Sequence, residues 1–319
     1  MELNDKIFVA GNTGLVGSAI VRRLEAERFD NLVFAPYPEY DLRRQDQCEG
    51  FLEKERPDYV FLAAAKVGGI HANNTYPAEF IYDNLMISAN VIHSAWKSGV
   101  KKLINLGSSC IYPKLAEQPM KETALLSGTL EPTNEPYALA KIAAVKLAHY
   151  YNKQYGTDFI SAMPTNLYGP ADNYDLANSH VLPALIRKFH EAKVQKKSTT
   201  VVWGTGTPKR EFLYSDDLVD ALLFLMQNSH ASDIGEFINI GTGKDLTIRE
   251  LAELIRDIVG FDGGIEFDTS RPDGTPQKLL DVSRMTGLGW QAKTDLRTGI
   301  EKAYQWFLKH GSPSNGAAQ

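Results

Sequence analysis

K-I-F-V-A at residues 6–10 runs into G-N-T-G-L-V-G at 11–17 and then into S-A-I-V-R-R-L-E-A-E at 18–27. The first piece is a short apolar run, read as a buried strand. The last places Ala19, Ile20 and Leu24 at helical spacing. Strand, glycine turn and helix in this order form the arrangement that receives a dinucleotide's pyrophosphate. Gly11 permits the tight turn, Gly14 lets the backbone approach the phosphates, and Gly17 lets the helix pack on the strand. Asn12, Thr13, Leu15 and Val16 complete the turn and are expected beside the cofactor. The spacing is G-x-x-G-x-x-G rather than G-x-G-x-x-G, so an ordinary strand-to-helix turn is the competing reading.

The pattern continues outward. N-L-V-F-A at 31–35, Y-V-F-L-A-A-A at 59–65, Lys101–Gly107 and D-F-I-S-A-M-P-T-N at 158–166 read as further strands. Helical patterns ending at Glu55, at Ser98 (from Pro77) and at Tyr155 (from Tyr137) separate them. Such alternation predicts an α/β fold with a parallel, doubly wound sheet. Gly11, Ala65, Ser108 and Thr165 all fall at carboxyl ends of strands, where open α/β sheets bind ligands. Lys66–Gly69 reads as a flexible loop, and 111–135 as an irregular, proline-containing one. Asn84, inside a helix, reads equally as core glue or as a functional contact.

After Pro170 the pattern changes. His180 precedes a helix, and a lone histidine there is most often a cap or a surface residue. Segments 200–206 and 210–214 read as two short strands around a turn, where Trp203 could stack on a base and Arg210 grip a phosphate. Helices near 216–228 and 247–259 flank a strand at 237–240, and 271–279 reads as a loop. The expected organisation is a dinucleotide-binding domain over about 1–166 with returning segments at about 212–242 and 288–309. A smaller substrate lobe takes 167–211 and 243–287, and 311–319 is an expected disordered tail.

Composition narrows the function. The 319 residues are 43% hydrophobic and carry a net charge of −5 with no basic block, which gives nucleic-acid binding little support. Cys48 and Cys110 are too far apart in sequence to suggest a disulfide framework, which suits a reducing cytoplasm. The first ten residues lack a leader's long apolar stretch, and no run is long enough for a membrane span. No metal site is expected.

The chemistry centres on N-L-G-S-S-C-I-Y-P at 105–113 and E-P-Y-A-L-A-K at 135–141. Tyr137 and Lys141 are four apart on one helix face. A tyrosine near an ammonium is expected to lose its proton more easily than usual. It can give that proton to a carbonyl oxygen while hydride reaches the carbon, with a serine hydroxyl holding the oxygen. Alternation along an extended tip would aim Ser108 and Cys110 into the same cleft; the bland reading of Cys110 is a small buried apolar residue. At the end of the second strand no acidic residue marks NAD and no arginine stands in place for NADP. The nearest arginines are Arg28, Arg43 and Arg44, and the choice stays open at this point. Tyr37 could stack on adenine or simply lie on the surface.

Taken together, G-x-x-G-x-x-G, the Ser108 tip, Y-x-x-x-K and N-x-Y-G-P at 166–170 resemble the extended short-chain dehydrogenase/reductase family. The finer blocks A-A-A-K-V-G-G-I, G-S-S-C-I-Y-P, M-P-T-N-L-Y-G-P and W-G-T-G-T-P-K-R-E-F-L resemble its GDP-keto-deoxysugar epimerase/reductases. The resemblance implies that a GDP-4-keto-6-deoxy-D-mannose is epimerised at C3 and C5 and reduced at C4 by NADPH to GDP-L-fucose. It implies Ser108, Tyr137 and Lys141 as the reductive set, with Cys110 as base and His180 as acid for epimerisation. Cofactor contacts carried over are Tyr37, Asp41, Leu42, Ala64, Ala65, Leu106, Gly107, Ser109, Pro164, Thr165, Asn166 and Leu167, besides the glycine turn, Ser108, Lys141 and His180. Lys188, Trp203, Arg210, Asp273 and Lys278 would contact the GDP-sugar, and a homodimer is expected. Lysine at 188 and the missing arginines near Thr13 and Tyr37 are departures from the family pattern. A related enzyme acting on a 3-deoxy sugar and a non-catalytic dinucleotide sensor are the alternatives.

Overall fold

Strand β1 (Ile7–Ala10) is buried on both faces, so it needs cover on two sides. The computed structural model describes residues 1–176, 178–271 and 273–311, apart from the side chains of Ile70 and His71, and supplies that cover. The first half continues with α1 (Leu15–Ala26), β2 (Leu32–Val33), α2 (Gln45–Glu55), β3 (Tyr59–Leu62), α3 (Ile70–Thr75) and α4 (Pro77–Lys97). Then come β4 (Lys102–Leu106), α5 (Glu135–Tyr155), β5 (Phe159–Pro164) and β6 (Asn166–Tyr168). The second half holds α6 (Val181–Val194), β7 (Thr199–Trp203), β8 (Lys209–Tyr214), α7 (Ser215–Asn228), α8 (Ala231–Ile234) and β9 (Ile238–Ile240). It ends with β10 (Asp245–Thr247), α9 (Ile248–Val259), β11 (Gly264–Asp268), β12 (Gln277–Lys278), α10 (Ser283–Gly287) and α11 (Leu296–His310).

The main sheet has six strands in the order β2-β1-β3-β4-β5-β9, all parallel. Ile7 and Val9 join a core with Ile20 and Leu24 of α1 and Leu218 and Leu222 of α7. Phe8 and Ala10 join another with Phe51 and Leu52 of α2, Val91 and Ile92 of α4, and Ala144 and Ala148 of α5. Period-two alternation therefore sends successive residues of one strand into two cores, the doubly wound α/β arrangement. The chain steps from β1 outward to β2 and returns to the other side at β3. This reversal opens a crevice above β1 and β3. A separate core, with Leu182, Ile186 and Phe189 of α6, Leu251 and Ile255 of α9, and Ile300 and Phe307 of α11, supports the remaining strands.

Several details differ from the sequence-based expectations. The run at 158–166 is two strands: β5 stays in the main sheet, while β6 leaves it to pair in parallel with β8. Thr165 marks the break, because its backbone bonds to Ile240 and its hydroxyl to the Glu211 carbonyl. Strands β7 and β8 do not form a hairpin; β7 pairs with β11, and β8 with β6, β10 and β12. Gly204 and Gly206, at φ +84° and +78°, turn the chain between two sheets. The loop at 66–69 is pinned rather than flexible. Asn84, 1% exposed, accepts the Lys66 N–H at 3.0 Å and donates to the Lys66 carbonyl at 3.0 Å. Asn84 is thus glue for the loop. Asn73 adds a 2.8 Å bond to Gly68, and the short α3 follows. The loop at 271–279 contains β12, and all but the first residue of the tail expected at 311–319 lies outside the described residues.

One buried carboxylate joins these parts. Glu211 of β8 is 0% exposed. Its Oε1 accepts the N–H groups of Thr242 at 2.6 Å and Gly243 at 2.7 Å, just past β9. Its Oε2 accepts the Leu280 N–H at 3.0 Å, just past β12. Glu211→Ala leaves these buried donors unpaired and should lower unfolding free energy by about 3 kcal/mol or more. Glu211→Gln, which keeps one acceptor, should cost less. Urea denaturation checks both, and a loss below about 1 kcal/mol for the alanine variant contradicts the assignment.

Candidate active site

The glycine turn has the shape of a phosphate cradle. A Cβ on Gly17 would fall 1.9 Å from the Gly11 carbonyl oxygen, and one on Gly11 (φ +81°) would fall 2.8 Å from the Ala64 backbone. Gly14 has only the Gly11 oxygen within 4 Å of such an atom, so its outer side is open. Gly14 caps α1 without a side-chain bond, and the first turn carries no acidic residue. The free N–H groups at the helix start suit an anion. Asn12, Thr13, Leu15 and Val16 form the turn's rim, and Ala64 and Ala65 follow β3. These residues fit a dinucleotide. Beyond the end of β2 follow Tyr37, Asp41 and Leu42, the last held through its carbonyl by Asn90 at 2.9 Å.

Beyond Leu106 the tip of β4 is not extended as alternation predicts. Ser109–Ile111 close one 3₁₀ turn, and the Ser108 hydroxyl accepts the Cys110 N–H at 3.4 Å. Ser108 and Cys110 still converge, because α5 begins beside this turn. Pro136 sits in the first turn of α5, where its missing N–H costs nothing and its φ suits a helix. Tyr137 follows, with the Ser108 side chain near its phenol. Lys141, one turn on, is 3% exposed and donates to the Leu106 carbonyl at 2.8 Å.

The expected loosening of the Tyr137 proton does not hold in this arrangement. Burial, then the neighbouring Cys110 sulfur, push the phenol above its ordinary range, against the opposing pull of the Ser108 side chain. Lys141 lies over the ring, 5.8 Å from its centre, and not at the oxygen. Burial also lowers Lys141 itself to about 8, which weakens it as a cation. A phenol kept protonated is the form that a proton donor needs.

Cys110 is surrounded by donors and cations. Asn134 Nδ2 lies 3.4 Å and Lys278 Nζ 3.6 Å from its sulfur. Lys278 stands opposite Arg210 in the β12–β8 register, so both cations reach the same end of the cleft. Arg210 donates to the Lys209 carbonyl at 2.8 Å. Burial lowers its pKa, opposed by Cys110 and Asp273. Arg210 therefore lies near the thiol. His180 is the N-cap of α6, yet its ring makes no capping bond. The residue keeps an exposed surface. Desolvation by the protein around the ring, and then the Lys278 charge, lower its pKa below the ordinary value.

Farther along the cleft, Lys188 stands 4.7 Å and Arg271 5.1 Å from the Trp203 ring centre, and the ring is 51% exposed. Asp273 holds the adjoining turn, accepting from Thr205 N at 2.7 Å and Thr205 Oγ1 at 2.9 Å. At the tip of β5, Thr165 and Asn166 use their side chains on the Glu211 carbonyl. Gly107 packs against Met163, and Ser109 is buried. Sequence reasoning gave no role to Asn134, which immediately precedes the E-P-Y-A-L-A-K block. Its side-chain oxygen is buried without a partner among the described residues. Arg271 was missed because a lone exposed arginine in a loop carries no signal.

The chain belongs to the NAD dependent epimerase/dehydratase family, which it matches over residues 7–241. "GDP-L-fucose synthase 1" of Arabidopsis thaliana is 59% identical over 305 residues, covering 96% of this chain and 94% of that protein. "GDP-L-fucose synthase" of Escherichia coli (strain K12) is 55% identical, covering 96% and 97%. "GDP-L-colitose synthase" of Yersinia pseudotuberculosis is 38% identical, covering 95% and 98%. Among solved structures, a GDP-L-fucose synthetase from Naegleria fowleri bound to NADP aligns with a TM-score of 0.89 at 35% identity, over 97% of this chain and 94% of that one.

The Lys278 charge has a measurable consequence. Its presence lowers the His180 pKa, so Lys278→Met should move the imidazole's titration midpoint upward. The proton spectrum of the His180 ring, followed from pH 5 to 8, reads it. An unmoved midpoint places the two groups farther apart than described.

Proposed function

We propose that the chain converts GDP-4-keto-6-deoxy-D-mannose to GDP-L-fucose, by epimerisation at C3 and C5 followed by NADPH-dependent reduction at C4. The observation that carries this reading is the meeting of two sets of groups in one cleft. A thiol and an imidazole share the neighbourhood of Lys278, and a serine–tyrosine–lysine set lies at the tip of β4. The high identity to named GDP-L-fucose synthases over nearly the whole chain supports it, and the NADP-bound relative supports the cofactor.

Hydrogens beside a C4 ketone are acidic because the enolate is stabilised. Cys110, as thiolate, takes the proton from C3 and from C5. His180 returns a proton from the other face; its lowered pKa makes the imidazolium a stronger acid and a rarer one at neutral pH. Ser108 and Tyr137 hold the enolate oxygen. Bound NADPH would supply the hydride for C4. Tyr137, kept protonated by burial, gives its proton to O4. Lys188, Trp203, Arg210 and Asp273 hold the nucleotide and sugar, with arginine's fork suited to phosphate and lysine's point charge less so.

Rival readings fit less well. An eliminating dehydratase usually has an acidic pair at this tip, where Ser109-Cys110 stands. A dinucleotide sensor has no use for the retained, buried Lys141 and its tyrosine. Acting on a 3-deoxy sugar is the nearest alternative, and the colitose relative is less similar than the fucose ones.

We also infer a cytoplasmic homodimer. Trp96 of α4 stacks on Tyr155 of α5 at 4.3 Å, and Tyr151 and His93 join them, while Tyr82, Leu139 and Tyr150 of the same two helices are exposed. Apolar area of this kind suits a four-helix contact with a second copy. The two cysteines are free, and no helix among the described residues is long and apolar enough to cross a membrane.

The test is incubation with GDP-4-keto-6-deoxy-D-mannose and NADPH. The nicotinamide absorbance should fall, and proton NMR should show an L-fuco product. No oxidation, or faster turnover of the 3-deoxy ketone, contradicts the reading.

A further inference from the structure

We propose that Arg43 is the residue that selects NADPH, by binding the 2′-phosphate on its adenosine ribose. The proposal rests on the dinucleotide reading and names the specificity of that same site. In this fold the residue about 20 positions past the glycine turn meets the ribose 2′ position. Counting 20 from Gly17 gives Tyr37 (37 − 17 = 20), which is 52% exposed beyond the end of β2. A phenol there offers neither the carboxylate that would accept a 2′-hydroxyl nor a cation for a phosphate. Thr13, in the turn opposite, offers no charge either.

The cation arrives from six residues downstream. The chain turns back after Tyr37, with the Tyr40 N–H bonded to the Pro36 carbonyl at 2.9 Å. This return carries the Arg43 guanidinium over the Tyr37 ring, 5.7 Å from its centre. Asp41 fixes its orientation: Arg43 Nε donates to Oδ1 at 2.8 Å and Nη2 to Oδ2 at 2.8 Å. On the other side Nη1 reaches Asp83 at 3.5 Å, which in turn holds Lys66 at 3.4 Å. A guanidinium has five N–H donors, so one on each terminal nitrogen remains after these contacts. The side chain still reaches solvent over 32% of its surface. Arg44, by contrast, is 61% exposed and pairs with Asp46.

A planar, orientated guanidinium with free N–H groups is the donor type that recognises phosphate oxygens. An aromatic face beneath it is a floor for adenine. The Asp41 and Asp83 carboxylates both oppose a further anion, so the preference is for NADPH but smaller than two unopposed arginines would give. NADH, lacking the phosphate, meets the same adenosine floor with no use for the free N–H groups.

The test is calorimetric binding of NADP⁺ and NAD⁺ to the full chain, with adenosine 2′,5′-bisphosphate and AMP as the matching fragments. The unaltered protein should bind NADP⁺ more tightly than NAD⁺. Arg43→Ala should reduce that ratio by roughly tenfold or more, as expected for a lost charged hydrogen bond. Arg43→Lys keeps the charge and a pairing to Asp41, loses the fork, and should fall between. It also reads the ratio if the alanine variant melts too early to assay. An unchanged ratio in the folded variant overturns the proposal, as does an equal loss for both cofactors, which would make Arg43 a brace. Equal binding of both cofactors by the unaltered protein also overturns it. Binding of neither removes the dinucleotide reading itself.

Discussion

The Glu211 carboxylate is the constraint from which the geometry of the cleft follows. It is a buried carboxyl group, its pKa raised by desolvation and drawn back by backbone N–H groups from two separate segments. Those donors can be satisfied only if the chain past β9 and the chain past β12 both close on β8. Successive strand residues face opposite ways, so anchoring Glu211 inward turns its neighbour Arg210 toward the opposite side. The β12 register then sets Lys278 beside Arg210, and Lys278 reaches the Cys110 sulfur. The carbonyl of Glu211 also takes the side chains of Thr165 and Asn166, which diverts β6 out of the main sheet. A single residue thus relates the cofactor-side strand ends to the substrate-side cations.

The chain is net negative, yet several cations stand around the cleft: Lys141 on the Leu106 carbonyl, Lys188 at the Trp203 ring, and Arg210 and Lys278 opposite one another on β8 and β12. Burial lowers the pKa of Lys141, Lys188 and Arg210, so an anion brought among them would be favoured. Desolvation pushes the Tyr137 phenol up and the His180 imidazole down, so the two proposed proton donors are shifted in opposite senses.

Much of this was legible in the sequence where local pattern and chemistry coincide. The strand, glycine turn and helix at 6–27 could be read because each glycine has a separate steric duty, which the structure bears out at Gly11 and Gly17. Tyr137 and Lys141 could be read because helix geometry alone fixes their relation. Features set by distant partners were not legible. The six-residue α3 is too short to be stable by propensity and depends on Asn73 and on the Gly69–Asn178 backbone bond. The separation of β7 from β8 depends on strands far along the chain. Arg43 stood in view as one of several arginines, and only the fold of the return loop shows which one meets Tyr37.

The central claim is that one cleft houses two separable chemistries, proton transfer at carbon through Cys110 and reduction at C4 through Tyr137. The direct measurement is mass spectrometry of the GDP-4-keto-6-deoxy sugar after incubation in heavy water, with and without NADPH. Tyr137→Phe should still incorporate deuterium at C3 and C5, more slowly if the phenol also holds the enolate oxygen, while nearly abolishing NADPH oxidation. Cys110→Ser should lose incorporation, because a serine hydroxyl is far less acidic than a thiol, and retain slow reduction of the unepimerised ketone. Incorporation at the unaltered rate in Cys110→Ser would contradict the account, leaving Cys110 a packing residue and sending the search for the base to His180.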